Sequence, residues 1–412
     1  MNRVSMFAGG VVLAAALAAA GIAQAAPDRG TGGQRVDAVI VGHRGSPGQA
    51  PEETLASYRN ALRDKADVLE GDVQLTSDKQ IVLLHDDTLV RTTDVEEVFP
   101  ERAPWRVGQF TLAEIKRLDA GSWFDARYAG QRVPTLKELL AVAGRRTGLS
   151  LEMKAPANSP GVASLLAKEL NAARLTDGAR LPSGAYRVQV HSRDKAALKE
   201  FNTSAPKVRL SYLTGGKMLG DDELAELAGW TIGVYAHPRM TSAADIGRAR
   251  AKGLRVISDP VDSPTEIAMA VNQGYDWVTS NFPATVRRVL QRRKPFPAAN
   301  GVVVDSVFPN PSGDDVQPEN SEHVVLRNTT SRPVDVSGGY LRDQAGNLMR
   351  IGPGYVVGPG GLLRVHVGPG TNRPDAYYNG LTTGFLNNTS GDTVSFFAAG
   401  HSLLDIGSYI VP

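Results

Sequence analysis

From residue 38 the 412-residue chain alternates short apolar runs with longer stretches whose apolar residues recur every three or four positions. The runs Ala38–Val41, Val68–Val73, Ile81–Leu84, Leu149–Met153, Tyr186–Val190, Val208–Tyr212, Arg255–Ile257 and Asp276–Thr279 have the length and content of buried strands. Helical patterns lie between them, over 54–63, 135–143, 162–173, 194–201, 221–227, 243–251, 265–273 and 284–291. In the first of these, Leu55, Tyr58, Ala61 and Leu62 share one face, and Thr54 stands where an N-terminal cap belongs. Eight strands separated mostly by helices predict an α/β fold, a TIM-type (β/α)8 barrel over residues 38–294, rather than an open doubly wound sheet. A ninth apolar run, Thr231–Ala236, exceeds that count and is open to assignment as part of a βα loop. The stretch from Asp87 to Gln131, rich in charges and aromatics, is too long for an ordinary βα loop and reads as an insertion over one end of the barrel.

The pattern changes at the linker 295–300, Pro-Phe-Pro-Ala-Ala-Asn. Residues 301–412 carry short alternating runs such as His323–Leu326, Leu362–Val367 and Thr393–Phe397, amid frequent Gly, Asn and Pro. That pattern predicts an antiparallel, immunoglobulin-like β-sandwich. This module has no lysine and sets six arginines against ten carboxylates, a formal charge of −4, which argues against nucleic acid or anionic lipid as its partner. At the other end, a basic start at Met1–Arg3, an apolar alanine-rich stretch from Met6 to Ile22, and Ala23-Gln24-Ala25 form the pattern of a cleaved signal peptide over residues 1–25. A polar leader follows at 26–37. The expectation is a secreted protein that is not an integral membrane protein, since no other segment is apolar enough to span a bilayer. The chain contains no cysteine, which excludes disulfides, thiolate metal sites and a nucleophilic thiol. Its formal charge of +2 gives no field that would favour nucleic acid.

The chemistry sits where the apolar runs end. His43-Arg44-Gly45 follows the first strand, Glu70-Gly71-Asp72 lies within the second, His85-Asp86 follows the third and Glu152-Met153-Lys154 ends the fourth. Ionisable groups beside buried strands are costly unless they serve one another, so several of them suggest a single polar site. On a strand, Glu70 and Asp72 point to the same side, as do Glu152 and Lys154. Glu70, Asp72 and Glu152 form an all-oxygen set suited to a hard divalent cation, Mg²⁺ or Ca²⁺, in preference to zinc. Arg44 and Lys154 could hold an anion beside it, phosphate above all. His43 and His85 suit general acid–base work near neutral pH. Together these groups describe hydrolysis of a phosphodiester, a small-molecule substrate. His191, His237 and His323 read as structural residues.

The run also resembles the glycerophosphodiester phosphodiesterase family over residues 38–290. The matching pieces are His43-Arg44-Gly45, Pro51-Glu52-Glu53-Thr54, Glu70-Gly71-Asp72-Val73, His85-Asp86, Val133-Pro134-Thr135-Leu136 and Glu152-Met153-Lys154. The resemblance implies a TIM barrel, a bound Mg²⁺ or Ca²⁺, and cleavage of glycerophosphodiesters to glycerol 3-phosphate and an alcohol. It assigns His43 and His85 to acid–base catalysis and Glu70, Asp72 and Glu152 to the metal. Arg44 and Lys154 fall on the phosphate, with Glu52 in support. Three positions depart from the family: Glu53 stands for its Asn, Ser258-Asp259-Pro260 for its Trp-Thr pair, and Thr279-Ser280-Asn281-Phe282-Pro283 for its Thr-Asp-x-Pro. They leave the catalytic set whole and are expected to alter the wall near the leaving group. Residues 301–412 resemble the lamin-tail domains through Glu322–Asn328, Val336–Asp343 and Gly391–Val394. Such a domain implies adhesion or positioning, with a cell-surface or wall ligand. Two other functions fit the same residues. One is a phospholipase D-like enzyme on lysophospholipid or sphingomyelin, or a teichoic acid hydrolase; the other is a surface-binding protein without catalysis.

Overall fold

A computed structural model describes residues 38–411; the signal-peptide and leader assignments lie outside the described residues. Nine strands form the first sheet: β1 (Val39–Gly42), β2 (Val68–Leu75), β3 (Ile81–Leu83), β4 (Gly148–Met153), β5 (Val188–Ser192), β6 (Arg209–Leu213), β7 (Gly233–Ala236), β8 (Arg255–Ser258) and β9 (Trp277–Ser280). Their order is β1-β9-β8-β7-β6-β5-β4-β2-β3, and β1 also pairs with β2, so eight parallel strands close into a barrel. The total of eight matches the sequence reading, but the membership does not. β3 pairs antiparallel with the far end of β2 and lies outside the closed barrel, while β7, the run set aside as loop, is a barrel strand between β6 and β8. β2 runs on past the barrel rim, and an edge left free there recruits the next apolar run as a hairpin partner.

The helices follow the expected pattern closely, from Leu55–Arg63 to Pro283–Leu290. Thr54 caps the first by accepting the Ser57 N–H, and Thr135 with Glu138 forms a capping box on the helix Leu136–Ala143. Alternation along the strands sends Ile40, Leu69, Leu149, Leu151, Val190, Leu210, Val234 and Val278 outward against these helices. Val39, Val68, Tyr186, Ile232 and Trp277 fill the barrel at its N-terminal end. Its C-terminal end is left to polar residues, the face that carries chemistry in this architecture. The insertion winds through short helices around a core of its own, built from Leu89, Val95, Val107, Phe110, Ile115 and Leu118.

The second domain has ten strands: β10 (Val302–Phe308), β11 (His323–Asn328), β12 (Val334–Asp335), β13 (Tyr340–Arg342), β14 (Leu348–Arg350), β15 (Val356–Val357), β16 (Leu362–His366), β17 (Ala376–Tyr378), β18 (Asp392–Phe397) and β19 (Leu403–Tyr409). Sheets β10-β11-β16-β17 and β14-β13-β18-β19 face each other across Val324, Leu326, Leu341, Leu363, Val394 and Phe396. All pairs are antiparallel as expected, apart from β16 with β17. The linker is part of the packing. Phe296 is buried with Phe282 of the barrel and Tyr340, Phe397 and Ile406 of the sandwich, at about 2 kcal/mol for each well-buried large side chain. Arg342 is buried at the same boundary, 3.6 Å over the Phe124 ring, and its Nη2 donates to the Phe124 carbonyl at 3.1 Å. Nearby, a side chain at Gly346 would collide with the Trp123 ring.

Candidate active site

The residues read from sequence as catalytic meet at the C-terminal mouth of the barrel. Strand register brings them together: Asp72 on β2 lies beside Glu152 on β4, which lies beside His191 on β5. Three residues here hold φ angles that side chains disfavour, Arg44 at +47°, Glu53 at +57° and Ala155 at +37°. Such strain persists where the surroundings fix it, and it clusters at functional sites. Gly45, at φ +93°, closes the turn off β1 and gives its N–H to the Gly42 carbonyl.

Most charges at the mouth are held by partners. Arg44 Nη1 lies 3.1 Å from Glu52, its Nε is 3.3 Å from Asp72, and its backbone N–H donates to Glu70 at 2.8 Å. Arg91 forks onto both Glu52 oxygens at 2.8 Å and reaches Asp86 at 2.7 Å. Asp86 in turn meets His85 Nδ1 at 2.7 Å. Lys154 Nζ donates to His85 Nε2 at 2.8 Å and lies 3.3 Å from Glu152. Burial opposes ionisation of Glu52, yet Arg44 and Arg91 hold its carboxyl down at about 2. Glu52, assigned a supporting role, therefore ties both arginines to the site.

His43 Nδ1 lies 2.8 Å from Asn281 Oδ1, and Asn281 gives both its side-chain and backbone N–H to the buried Asp262. With Nδ1–H donated to the amide oxygen, Nε2 of His43 keeps its lone pair. Burial, aided by Arg44, lowers His43 to about 3, so the ring is neutral at physiological pH. One of the three departures thus sits behind His43, a histidine read as catalytic from the sequence, and orients it. Another, Glu53, is buried under β2, where it accepts the Asp72 N–H at 2.8 Å and the Tyr58 hydroxyl.

The carboxylates crowd one another. Single ligand atoms of Glu53, Glu70 and Asp72 lie within 4.8 Å of each other, and so do those of Glu70, Glu152 and His191. Burial and the neighbouring Asp72 raise Glu70 and Glu53 well above the usual carboxylate range, and raise Glu152 to about 7. Burial works against Asp72 as well, but His85, Lys154 and Arg44 keep it ionised. Both Asp72 carboxylate oxygens are buried without a hydrogen-bond partner among the described residues. Converging carboxylates with oxygens free of hydrogen bonds fit a hard divalent cation, which would relieve their repulsion. His191 was read as structural, and the structure places it inside this set. It is buried, with Nε2 3.8 Å from Glu70, Nδ1 3.2 Å from Ser150 Oγ and its ring stacked on Tyr235 at 4.8 Å. The sequence reading ended its strand at Val190; β5 runs two residues further and carries His191 to the rim.

These groups line a cavity of about 470 Å³ that also reaches the sandwich. The glycerophosphoryl diester phosphodiesterase family matches residues 43–285, and the lamin tail domain matches residues 295–410. The chain belongs to the glycerophosphoryl diester phosphodiesterase family, and is a phosphodiester hydrolase of it. It is 30% identical over 260 residues to a glycerophosphodiester phosphodiesterase of Bacillus subtilis, covering 61% of this chain and 86% of that protein. Among the solved structures that resemble the barrel, two illustrate the match. One, a phosphodiesterase of Oleispira antarctica in complex with the product sn-glycerol-3-phosphate, has 28% identity and a TM-score of 0.53, covering 61% of this chain and 96% of that one. The other, a putative glycerophosphoryl diester phosphodiesterase of Silicibacter pomeroyi, has 25% identity and a TM-score of 0.54, covering 63% and 95%. Both matches are of barrel size, so in this chain the family's barrel carries a second domain against its mouth.

Proposed function

We propose that this protein is an exported, divalent-metal-dependent enzyme that hydrolyses small glycerophosphodiesters to glycerol 3-phosphate and an alcohol, with His43 and His85 as its acid–base pair. The observation that carries the reading is the convergence in one cavity of His43, His85, Arg44 and Lys154 with a crowded set of buried carboxylates. The names of the Bacillus relative and of the Oleispira complex support the same reaction. The signal-type pattern of residues 1–25 supports export, and no helix among the described residues is long and apolar enough to cross a membrane.

In this reading Arg44 and Lys154 face the phosphoryl oxygens and offset the charge that grows on them. Glu70, Asp72 and Glu152 would hold the cation, Mg²⁺ or Ca²⁺, with His191 beside them. When bound, the cation adds Lewis-acid stabilisation of the phosphoryl group. His43, fixed through Nδ1 by Asn281, and His85, fixed through Nδ1 by Asp86 with Nε2 beside the Lys154 ammonium, both line the cavity. One takes the proton from the attacking oxygen, and the other returns one to the departing alkoxide. The wall is polar apart from Leu213, Pro260, Ile410 and the tyrosine rings, which favours a hydrophilic diester over an acyl chain. The test is release of glycerol 3-phosphate from glycerophosphoethanolamine and glycerophosphocholine, with and without a chelator. Release abolished by chelator and restored by Mg²⁺ or Ca²⁺ is expected; release indifferent to chelator would remove the metal from the reading.

A further inference from the structure

The cavity has a floor made by the barrel and an outer wall made by the other domain. Gln344, Ser390, Asp392, Thr393 and Tyr409 of the sandwich line the same space as His43, Lys154 and His191. The wall is fixed in place on three sides. Arg342 and Gly346 pack on Phe124 and Trp123, Arg239 donates to the Ser408 carbonyl at 3.4 Å, and Phe282 and Phe296 enter the sandwich's aromatic cluster. A further contact leads inward: Arg91, which holds Asp86 behind His85, donates to the Ala345 carbonyl at 3.4 Å.

Charge is handled differently at this outer end. Asp392 is buried, lines the cavity and accepts only backbone N–H groups, among them those of Gln344 at 3.1 Å, Thr393 at 2.7 Å and Asn387. Asp259, from the segment after β8, lines the same cavity; its carboxylate forms no direct ion pair among the described residues, and Arg193 is the one cation near enough to favour its ionised form. Glu266, also in the wall, is neutralised by Arg239 at 2.6 Å. The remaining cation there, Arg193, is exposed to solvent, which screens it more than the buried Asp392. The outer end is therefore net negative, with one carboxylate from each domain against the single solvent-exposed Arg193.

We infer that the β-sandwich is part of the substrate site, and that Asp392 and Asp259 select a diester whose variable alcohol carries a positive ammonium group. This rests on the phosphodiesterase reading above: with the phosphate held at the floor and its glycerol among the floor's polar groups, the variable alcohol extends towards the sandwich. An ammonium there supplies the charge that the two carboxylates lack within the protein. A neutral alcohol leaves them unpaired, and an anionic one is repelled.

The full-length protein with added Mg²⁺ or Ca²⁺ should be assayed on glycerophosphoethanolamine, glycerophosphocholine and glycerophosphoglycerol, scoring glycerol 3-phosphate release. The expected result is a higher kcat/KM for the two ammonium diesters than for the neutral one. Asp392→Asn should cut that ratio about tenfold, the equivalent of about 1.4 kcal/mol. Asp259→Asn, placed in the other domain so that a folding fault in one is not shared, should lower the same ratio. A ratio within twofold of the wild type in both variants overturns the inference, as does a wild-type preference for glycerophosphoglycerol. Wild-type protein inert on all three diesters overturns the phosphodiesterase reading first, and this inference falls with it.

Discussion

The floor and the outer wall of the cavity are built by opposite rules. On the floor, Arg44, Glu52, Arg91, Asp86 and His85 form one continuous line of ion pairs and hydrogen bonds, so each group is oriented by the next. At the wall, Asp392 accepts only backbone N–H groups and Asp259 forms no direct ion pair, with only the solvent-exposed Arg193 near it. A site that must hold reacting atoms in fixed geometry needs its side chains constrained, whereas one that binds a variable group can leave its charge for the ligand to satisfy. The two ends also differ in origin, since the floor comes from one barrel alone and the wall is shared between barrel loops and the second domain docked on them.

The largest expected effect falls on the floor. His43→Ala and His85→Ala should each lower kcat by about 10²–10⁴-fold while substrate still binds, measured by steady-state kinetics and by calorimetric titration with a glycerophosphodiester. Activity that survives either change would break the assignment of the pair. Arg342→Ala tests the wall instead. It removes a buried guanidinium that stacks on Phe124 and bonds its carbonyl, with an expected cost of about 2–3 kcal/mol in thermal unfolding. KM should rise more than kcat falls, because the loosened domain belongs to the binding end. A fall in kcat alone would erase the distinction between the two ends.

The floor was legible in the sequence because its residues sit at fixed offsets along strands. Glu70 with Asp72 and Glu152 with Lys154 share a side by the two-residue period, and the barrel rule places the mouth at the strand ends. Legibility stopped where pairing decided. Whether Ile81–Leu83 or Gly233–Ala236 closes the barrel depends on which edge each strand finds, and hydrophobic content does not carry that information. His191 was missed for a similar reason, its place at the rim being set by how far β5 continues beside β4. Asp392 could not be read as part of the site at all, because its position comes from docking of the two domains. Asn281 was visible as a departure, but its partner Asp262 and its role behind His43 appear only in three dimensions.

Asn281 offers a sharper cut at the floor. Asn281→Asp restores the residue usual in the family, yet its new carboxylate would replace the amide that donates to Asp262 at 2.7 Å. Two buried carboxylates at that distance repel, and the ring they position loses its fixed partner. Activity should fall about tenfold and the unfolding temperature should drop. Adding Asp262→Asn to that variant should recover much of both. Failure of the double change to recover either would mean that Asn281 does not orient His43 through this pair.

The smallest effect separates Glu52 of the floor from the two wall carboxylates by pH. Burial opposes ionisation of Glu52, but its arginine partners hold it at about 2, below its unfolded value. It therefore stabilises the fold above about pH 4.5, and that contribution is lost as pH falls towards 2. Burial raises Asp259 and Asp392 to about 6, above their unfolded value. In the window between, the folded protein binds protons that the unfolded chain does not, so stability rises as pH falls through about 6. From pH 8 to pH 5 each should add about 1 kcal/mol, before Glu52 reverses the trend below about pH 4.5. Thermal unfolding from pH 8 to pH 3 should therefore show a maximum near pH 5. Asp392→Asn should remove about 1 kcal/mol of the gain on its neutral side, to which Glu152 of the floor also contributes, while leaving the acid side in place. An acid limb that moves with Asp392 would show that floor and wall titrate as one network, and the contrast between them would not hold.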